Sequence, residues 1–319
     1  MAKAKYRHAL PQTGESMFLA DGGIETTLIF HQGVELRSFA AFELLGTEEG
    51  RRELSAYFTP YVALARAHGS GLVLESATWR SNPEWGAALG YGAEALDAIN
   101  AAGIEFLLAL RAAEETAAGP IVVSGCVGPR GDGYAPEVSM SADEAEAYHG
   151  RQVRVFAEAG ADLVTAITMT YPEEGIGVAR AARAAGIPAV VSFTVETDGR
   201  LRSGHTLAEA IALCDAATEA YPAYYMVNCA HPTHFEDCLA GEAWLERIGG
   251  VRANASKMSH AELDEAPELD DGDPAEFGED YRRLRARLPR LRVLGGCCGT
   301  DHRHIGAAGH ACHGHARAA

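Results

Sequence analysis

Eight short apolar runs, separated by alanine-rich stretches of helical length, constrain this chain more than any other feature. The runs are MFLAD (17–21), GLVLES (71–76), IVVSG (121–125), DLVTAIT (162–168), PAVVSFTV (188–195), YYMVNC (224–229), GGVRAN (249–254) and RVLGG (292–296). Most are continuously apolar rather than alternating, the pattern of strands covered on both faces in a parallel sheet. Segments 48–69, 142–160 and 273–289 read as helices between them. Ser141 with Glu144 predicts a capping box, and Gly69, Gly160 and Gly186 stand where helices should stop. Eight strands with helical crossovers predict an α/β chain folded as a single (β/α)8 barrel of the TIM type over residues 1–319. A doubly wound open sheet is the alternative, but no G-x-G-x-x-G follows the first strand. The acidic stretch 255–272 reads as a loop, and the tail from about 308 to 319 reads as frayed.

Of the 319 residues, 47% are apolar, enough for the core of one large barrel. Acidic residues outnumber basic ones 44 to 27, a net charge of −17. Such a surface repels nucleic-acid phosphate and anionic lipid, so neither is expected as a partner. No apolar run approaches the roughly 18–20 residues of a membrane span, and the first sixteen residues hold no apolar signal core. Seven cysteines, an odd number, do not make a disulfide scaffold, which points to a reducing cytosol. Self-association stays open.

Chemistry in a barrel gathers at the C-terminal ends of its strands. Those ends are Asp21, Glu75, Cys126, Thr168, Thr194, Glu196, Cys229, Asn254, Cys297 and Cys298. Three thiols fall at the ends of strands six and eight, close enough to converge over the barrel mouth. Three converging cysteines suit a metal better than a disulfide. Zinc takes thiolates tetrahedrally, and a catalytic site keeps one position open. The glycines Gly295, Gly296 and Gly299 would give neighbouring Cys297 and Cys298 the backbone freedom to turn toward one ion. The plainer reading is that Cys229 is a small buried hydrophobe and the Cys-Cys pair incidental. Cys126, Cys214 and Cys238 read as structural, and His310, Cys312, His313 and His315 as a loose tail rather than a second metal cluster.

LADGGIETTL (19–28), VNCAHP (227–232) and GGCCGT (295–300) resemble the homocysteine S-methyltransferase family, in the family's order and over nearly the whole chain. The resemblance implies Zn2+ held by Cys229, Cys297 and Cys298, with the thiol of homocysteine in the fourth position and methionine as product. It implies a small-molecule methyl donor, a sulfonium or a betaine-type cation. Relatives with folate and cobalamin modules are larger than this chain. Asp21, Gly22 and Gly23 match the family's turn under the substrate, with Glu25 and Thr26 beside it. Asp21 would bind an ammonium or cap a helix. Asn228 would hold the loop of the metal ligand, and Asn254 would meet the amino-acid end of the substrate. Phe39 and Trp79 match aromatic positions near the donor, where ring faces attract cations.

One departure bears on specificity. Many relatives carry a glutamate near the end of strand four that takes the amino group of homocysteine, and Ile167 stands there in this chain. Glu75 or Glu196 would have to compensate, or the same chemistry would serve another thiol or a selenol. A barrel that binds zinc and a thiol metabolite without turnover is a further reading. Arg130 would hold a carboxylate or lie at the surface.

Overall fold

A computed structural model describes residues 4–133, 139–241, 243–266 and 268–313. Eight parallel strands close into a barrel in sequence order: β1 (Phe18–Leu19), β2 (Gly71–Glu75), β3 (Ile121–Val127), β4 (Leu163–Met169), β5 (Ala189–Phe193), β6 (Tyr224–Asn228), β7 (Ile248–Ala253) and β8 (Val293–Gly296). Each lies within two residues of its sequence expectation. The doubly wound alternative is excluded by the β1–β8 pairing, Phe18 beside Val293 and Leu19 beside Leu294. Long helices follow the strands, including Glu48–His68, Ala93–Glu114, Ala142–Ala159, Pro172–Ala185, Leu207–Thr218 and Pro274–Arg287. After β6 the long helix is replaced by Pro232–Phe235 and 3-10 turns. No helix of the described residues is long and apolar enough to cross a membrane.

The continuous apolar strands have a direct explanation. Side chains alternate across a strand, and here both faces are buried. Leu72, Leu74, Val123 and Val191 pack outward against the helices, while Val73, Val122, Leu163, Val190, Met226 and Val293 fill the barrel. The Ser141–Glu144 capping box forms, and Gly69, Gly160 and Gly186 end their helices in left-handed conformations.

Two expectations are corrected. The stretch 255–272 is not wholly loop: Ser259 caps a helix over His260–Glu265 through a box with Glu262. The tail is not frayed from 308, because a helix runs from His302 to His313. Cys312 on it is buried, and His313 packs on His68 with ring centroids 5.3 Å apart. His315 lies outside the described residues.

Candidate metal centre and substrate cavity

Two residues beyond the apolar plug, six of the eight strands turn polar on their inner face. Val73 is followed at that spacing by Glu75, Val122 by Ser124, Leu163 by Thr165, Val190 by Ser192, Met226 by Asn228 and Gly250 by Arg252. These residues are all buried. Two of them, Glu75 and Arg252, reach a cavity of about 580 Å3 at the C-terminal mouth, lined also by Asp21, Glu25, Cys229, Cys297 and Cys298 among others.

The three cysteines converge as expected. Their sulfurs lie within 4.8 Å of one another, the sole such metal-type cluster of three or more among the described residues. Cys229 Sγ is 2.7 Å from Cys297 Sγ and 3.6 Å from Cys298 Sγ, all as free thiols. Zinc–sulfur bonds of about 2.3 Å in a tetrahedron put sulfurs about 3.8 Å apart, so the trio fits such an ion with a small spreading of one pair. The neighbouring thiols, then burial, push the Cys229 thiol well above its usual range.

The backbone device differs from the sequence expectation. Asn228 points inward, so its neighbour Cys229 would face outward in a regular strand. Cys229 instead takes a left-handed conformation, φ +55°, and lines the cavity. That conformation costs a non-glycine residue on the order of 1–3 kcal/mol and is held by its surroundings. The Cys229 carbonyl accepts from Asn254 Nδ2 (3.1 Å), His260 Nε2 (2.6 Å) and Thr194 Oγ1 (3.3 Å). Asn228 accepts from the Thr168 backbone N–H (3.0 Å) and the Ser192 hydroxyl (2.6 Å), and its Nδ2 donates to Thr168 Oγ1 (2.9 Å). Of the three glycines near the Cys pair, Gly299 alone has positive φ, +78°. Gly295 and Gly296 belong to β8 and serve by lacking side chains. A Cβ on Gly295 would lie 2.9 Å from Arg252 Cγ, and one on Gly296 would strike the Thr300 hydroxyl.

The first motif works the same way. Gly23 packs against the Cys turn so closely that a Cβ there would lie 2.5 Å from the Cys297 carbonyl oxygen. Gly22 approaches the Thr300 carbonyl, where a Cβ would sit at 2.7 Å. Thr26 Oγ1 accepts from the Gly299 N–H (3.2 Å), tying the two turns together. Gly23→Ala is therefore expected to shift Cys297 and weaken metal binding about tenfold or more, the scale of second-layer changes at metal sites. Metal titration of a variant whose circular dichroism matches the parent checks this.

The remaining expected site residues divide. Asp21 lines the cavity, where one oxygen accepts from Arg252 Nη2 (2.8 Å) and the other from the Tyr57 hydroxyl (2.9 Å); the adjoining helix is capped at Gly23, not by Asp21. Glu75 is buried, and burial raises its carboxyl to about 7 against the pull of Arg252. Glu25 is half-buried, and desolvation raises it to about 8. Phe39 and Trp79 form cavity wall. Arg80 stacks 5.0 Å from the Trp79 ring and 3.9 Å from that of Trp85, so part of the expected cation-binding surface holds the protein's own cation. Glu196, Asn228 and Asn254 are not among the cavity's lining residues. Glu196 Oε1 is 3.4 Å from His260 Nδ1, behind the Cys229 carbonyl, and all three residues act through that loop. Arg130 pairs with Glu84 (2.8 Å) at the surface. Cys126 lines the cavity beside Glu75, Cys214 is buried, and Cys238 is exposed rather than structural. Arg252 was missed: a lone arginine within an apolar strand, facing a glycine, was its signal.

Barrel, thiol trio and glycine turns together define a barrel enzyme built around a metal-type thiol cluster. Residues 18–312 match the homocysteine S-methyltransferase family, and the chain belongs to that family of methyltransferases. Among solved structures it is similar to the homocysteine methyltransferase MmuM from Escherichia coli. The metallated form matches with TM-score 0.72 and 22% identity, covering 96% of this chain and 99% of that one. The oxidized form gives 0.72 and 22%, covering 95% and 98%, and the apo form 0.67 and 20%, covering 96% and 100%. At these identities the likeness speaks for the fold. No curated protein matches the sequence.

Proposed function

We propose that this protein is a zinc-dependent S-methyltransferase that moves a methyl group from a cationic donor to the thiol of homocysteine, giving methionine. The observation that carries the reading is the convergence of Cys229, Cys297 and Cys298 at one wall of the mouth cavity. Three thiols and open space suit zinc with a vacant fourth position. MmuM has been described in a metallated form, which supports a metal here. Cys229, Cys297 and Cys298 would hold the ion. When bound, zinc would keep the acceptor sulfur as thiolate at neutral pH, where a free thiol of pKa near 8.5 is mostly protonated.

The chain's own residues do the rest. The Cys229 carbonyl network fixes one ligand, and the Gly23–Thr26 turn fixes the other two. The cavity aligns the two reactants for in-line displacement, the positioning that dominates such transfers. Its described lining includes seven carboxyl groups (Asp21, Glu25, Glu75, Asp132, Asp264, Glu268, Asp270) against two guanidinium groups (Arg80, Arg252). With Glu25 raised to about 8 and Glu75 to about 7, the remaining five carboxyl groups still outnumber the two guanidinium groups, which favours a sulfonium or quaternary ammonium donor over an anionic one. Phe30, Leu36, Phe39, Leu263 and Leu269 supply apolar wall for the donor's body. The reaction needs no general base, since the thiol proton leaves before the methyl arrives.

The test is methionine formation from homocysteine by zinc-loaded protein, with S-methylmethionine, S-adenosylmethionine and glycine betaine supplied separately. One sulfonium is expected to support turnover that chelation abolishes and zinc restores. Turnover with none of the three, at full zinc occupancy, would refute this donor class.

A further inference from the structure

The cavity floor holds two groups of opposite charge whose hydrogen bonding the described residues leave incomplete: Arg252 is paired on one side with Asp21, and Glu75 is hydrogen-bonded by Ser124 and Thr165, yet each keeps one atom without a partner. Glu75 and Arg252 are each 6% exposed and both line the cavity. Glu75 Oε2 and Arg252 Nη1 are buried and without a hydrogen-bond partner. Arg252 spends its other nitrogen on Asp21 Oδ1, at 2.8 Å, and no ion pair joins it to Glu75. Its side chain reaches Asp21 by crossing over Gly295, where a Cβ would lie 2.9 Å from Arg252 Cγ. An unsatisfied buried charge is costly enough that natural proteins keep one chiefly where a ligand completes it.

We propose that Glu75 and Arg252 read a zwitterionic amino-acid head, Glu75 Oε2 accepting from the ammonium and Arg252 Nη1 donating to the carboxylate. Asp21 already answers the Arg252 charge and the Tyr57 hydroxyl, Ile167 offers only hydrocarbon, and Glu196 lies behind the Cys229 loop. The assignment rests on the methyltransferase reading for the identity of the sulfur-bearing tail, and it makes the acceptor an α-amino acid rather than a simple thiol. It makes Glu75 and Arg252 specificity residues, with no part in the methyl transfer itself.

Thioethers test the head site without any metal–thiol bond. The probes are L-methionine, 3-(methylthio)propylamine, which lacks the carboxylate, and 4-(methylthio)butyrate, which lacks the ammonium, each titrated calorimetrically into the full chain. Methionine is expected to bind at least about tenfold tighter than either, the scale of one charge-assisted hydrogen bond. Glu75→Gln should erase the preference over the butyrate and leave that over the amine. Arg252→Lys, which keeps the charge facing Asp21 but loses the second nitrogen, should do the reverse. Equal binding of the three probes, no measurable binding of methionine, or equal loss for all probes in Glu75→Gln would overturn the proposal. A failure of homocysteine to engage zinc would refute the methyltransferase reading and leave this comparison intact.

Discussion

Serine at position 297 will strip the protein of tightly held zinc and of methyl transfer, while leaving the barrel folded. Cys297 is the inward residue that continues β8, its N–H donating to the Ala253 carbonyl at 2.8 Å and its carbonyl accepting from the Thr300 N–H at 3.1 Å. Those contacts are main-chain, so Cys297→Ser keeps them. What changes is the donor atom: a hydroxyl does not ionise near neutral pH as a thiol does and is a poor ligand for zinc. Loss of a second-layer partner alone costs about 10–100-fold in metal affinity, so loss of a direct ligand is expected to cost at least about a hundredfold. Zinc content after dialysis and methionine production should fall together, with the thermal midpoint of the metal-free protein unchanged. Zinc retained at one equivalent in Cys297→Ser would remove this residue from the ligand set.

The largest effect on stability is expected at Arg252→Met. The guanidinium sits fully inside the barrel mouth, paired with Asp21 at 2.8 Å and near Glu75. Asp21 is also bound by the Tyr57 hydroxyl, whose own ionisation burial opposes. Removing the one cation from this group leaves buried carboxylates facing each other. Breaking a buried pair from one side costs about 3–5 kcal/mol, because the partner stays desolvated and unpaired. Denaturant unfolding should show that loss for Arg252→Met, and the double variant with Asp21→Asn should recover part of it. The recovery separates an unpaired charge from a mere packing defect, which the second substitution would not repair.

The barrel itself was legible because its physics is local. Strands buried on both faces must be apolar throughout, and helices must stop at residues such as Gly69, Gly160 and Gly186 that adopt left-handed conformations cheaply. The thiol trio was legible because VNC and GGCC end strands six and eight, two positions apart around the barrel. What was not legible is which strand-end side chains face inward. Glu196 and Asn254 lie at strand ends, yet both act behind the Cys229 carbonyl. Arg252, two residues earlier, faces the cavity because it keeps parity with Gly250 and Met226 across the β6–β7 register. The turn that aims Cys229 inward depends on contacts from Asn254, His260 and Thr194 on three separate segments, and such a sum leaves no mark in the sequence around residue 229. The tail helix was hidden because its buried anchors, Ile305 and Cys312, are separated by six glycine, alanine and histidine residues that read as a frayed end.

The most direct test of the central claim is calorimetric titration of zinc-loaded protein with homocysteine in buffers of different ionisation enthalpy, which counts protons released on binding. If the thiol joins an ion held by Cys229, Cys297 and Cys298, about one proton leaves per molecule bound at neutral pH, and the release vanishes in Cys297→Ser. Binding without proton release, or no binding with zinc confirmed at one equivalent, would contradict the account.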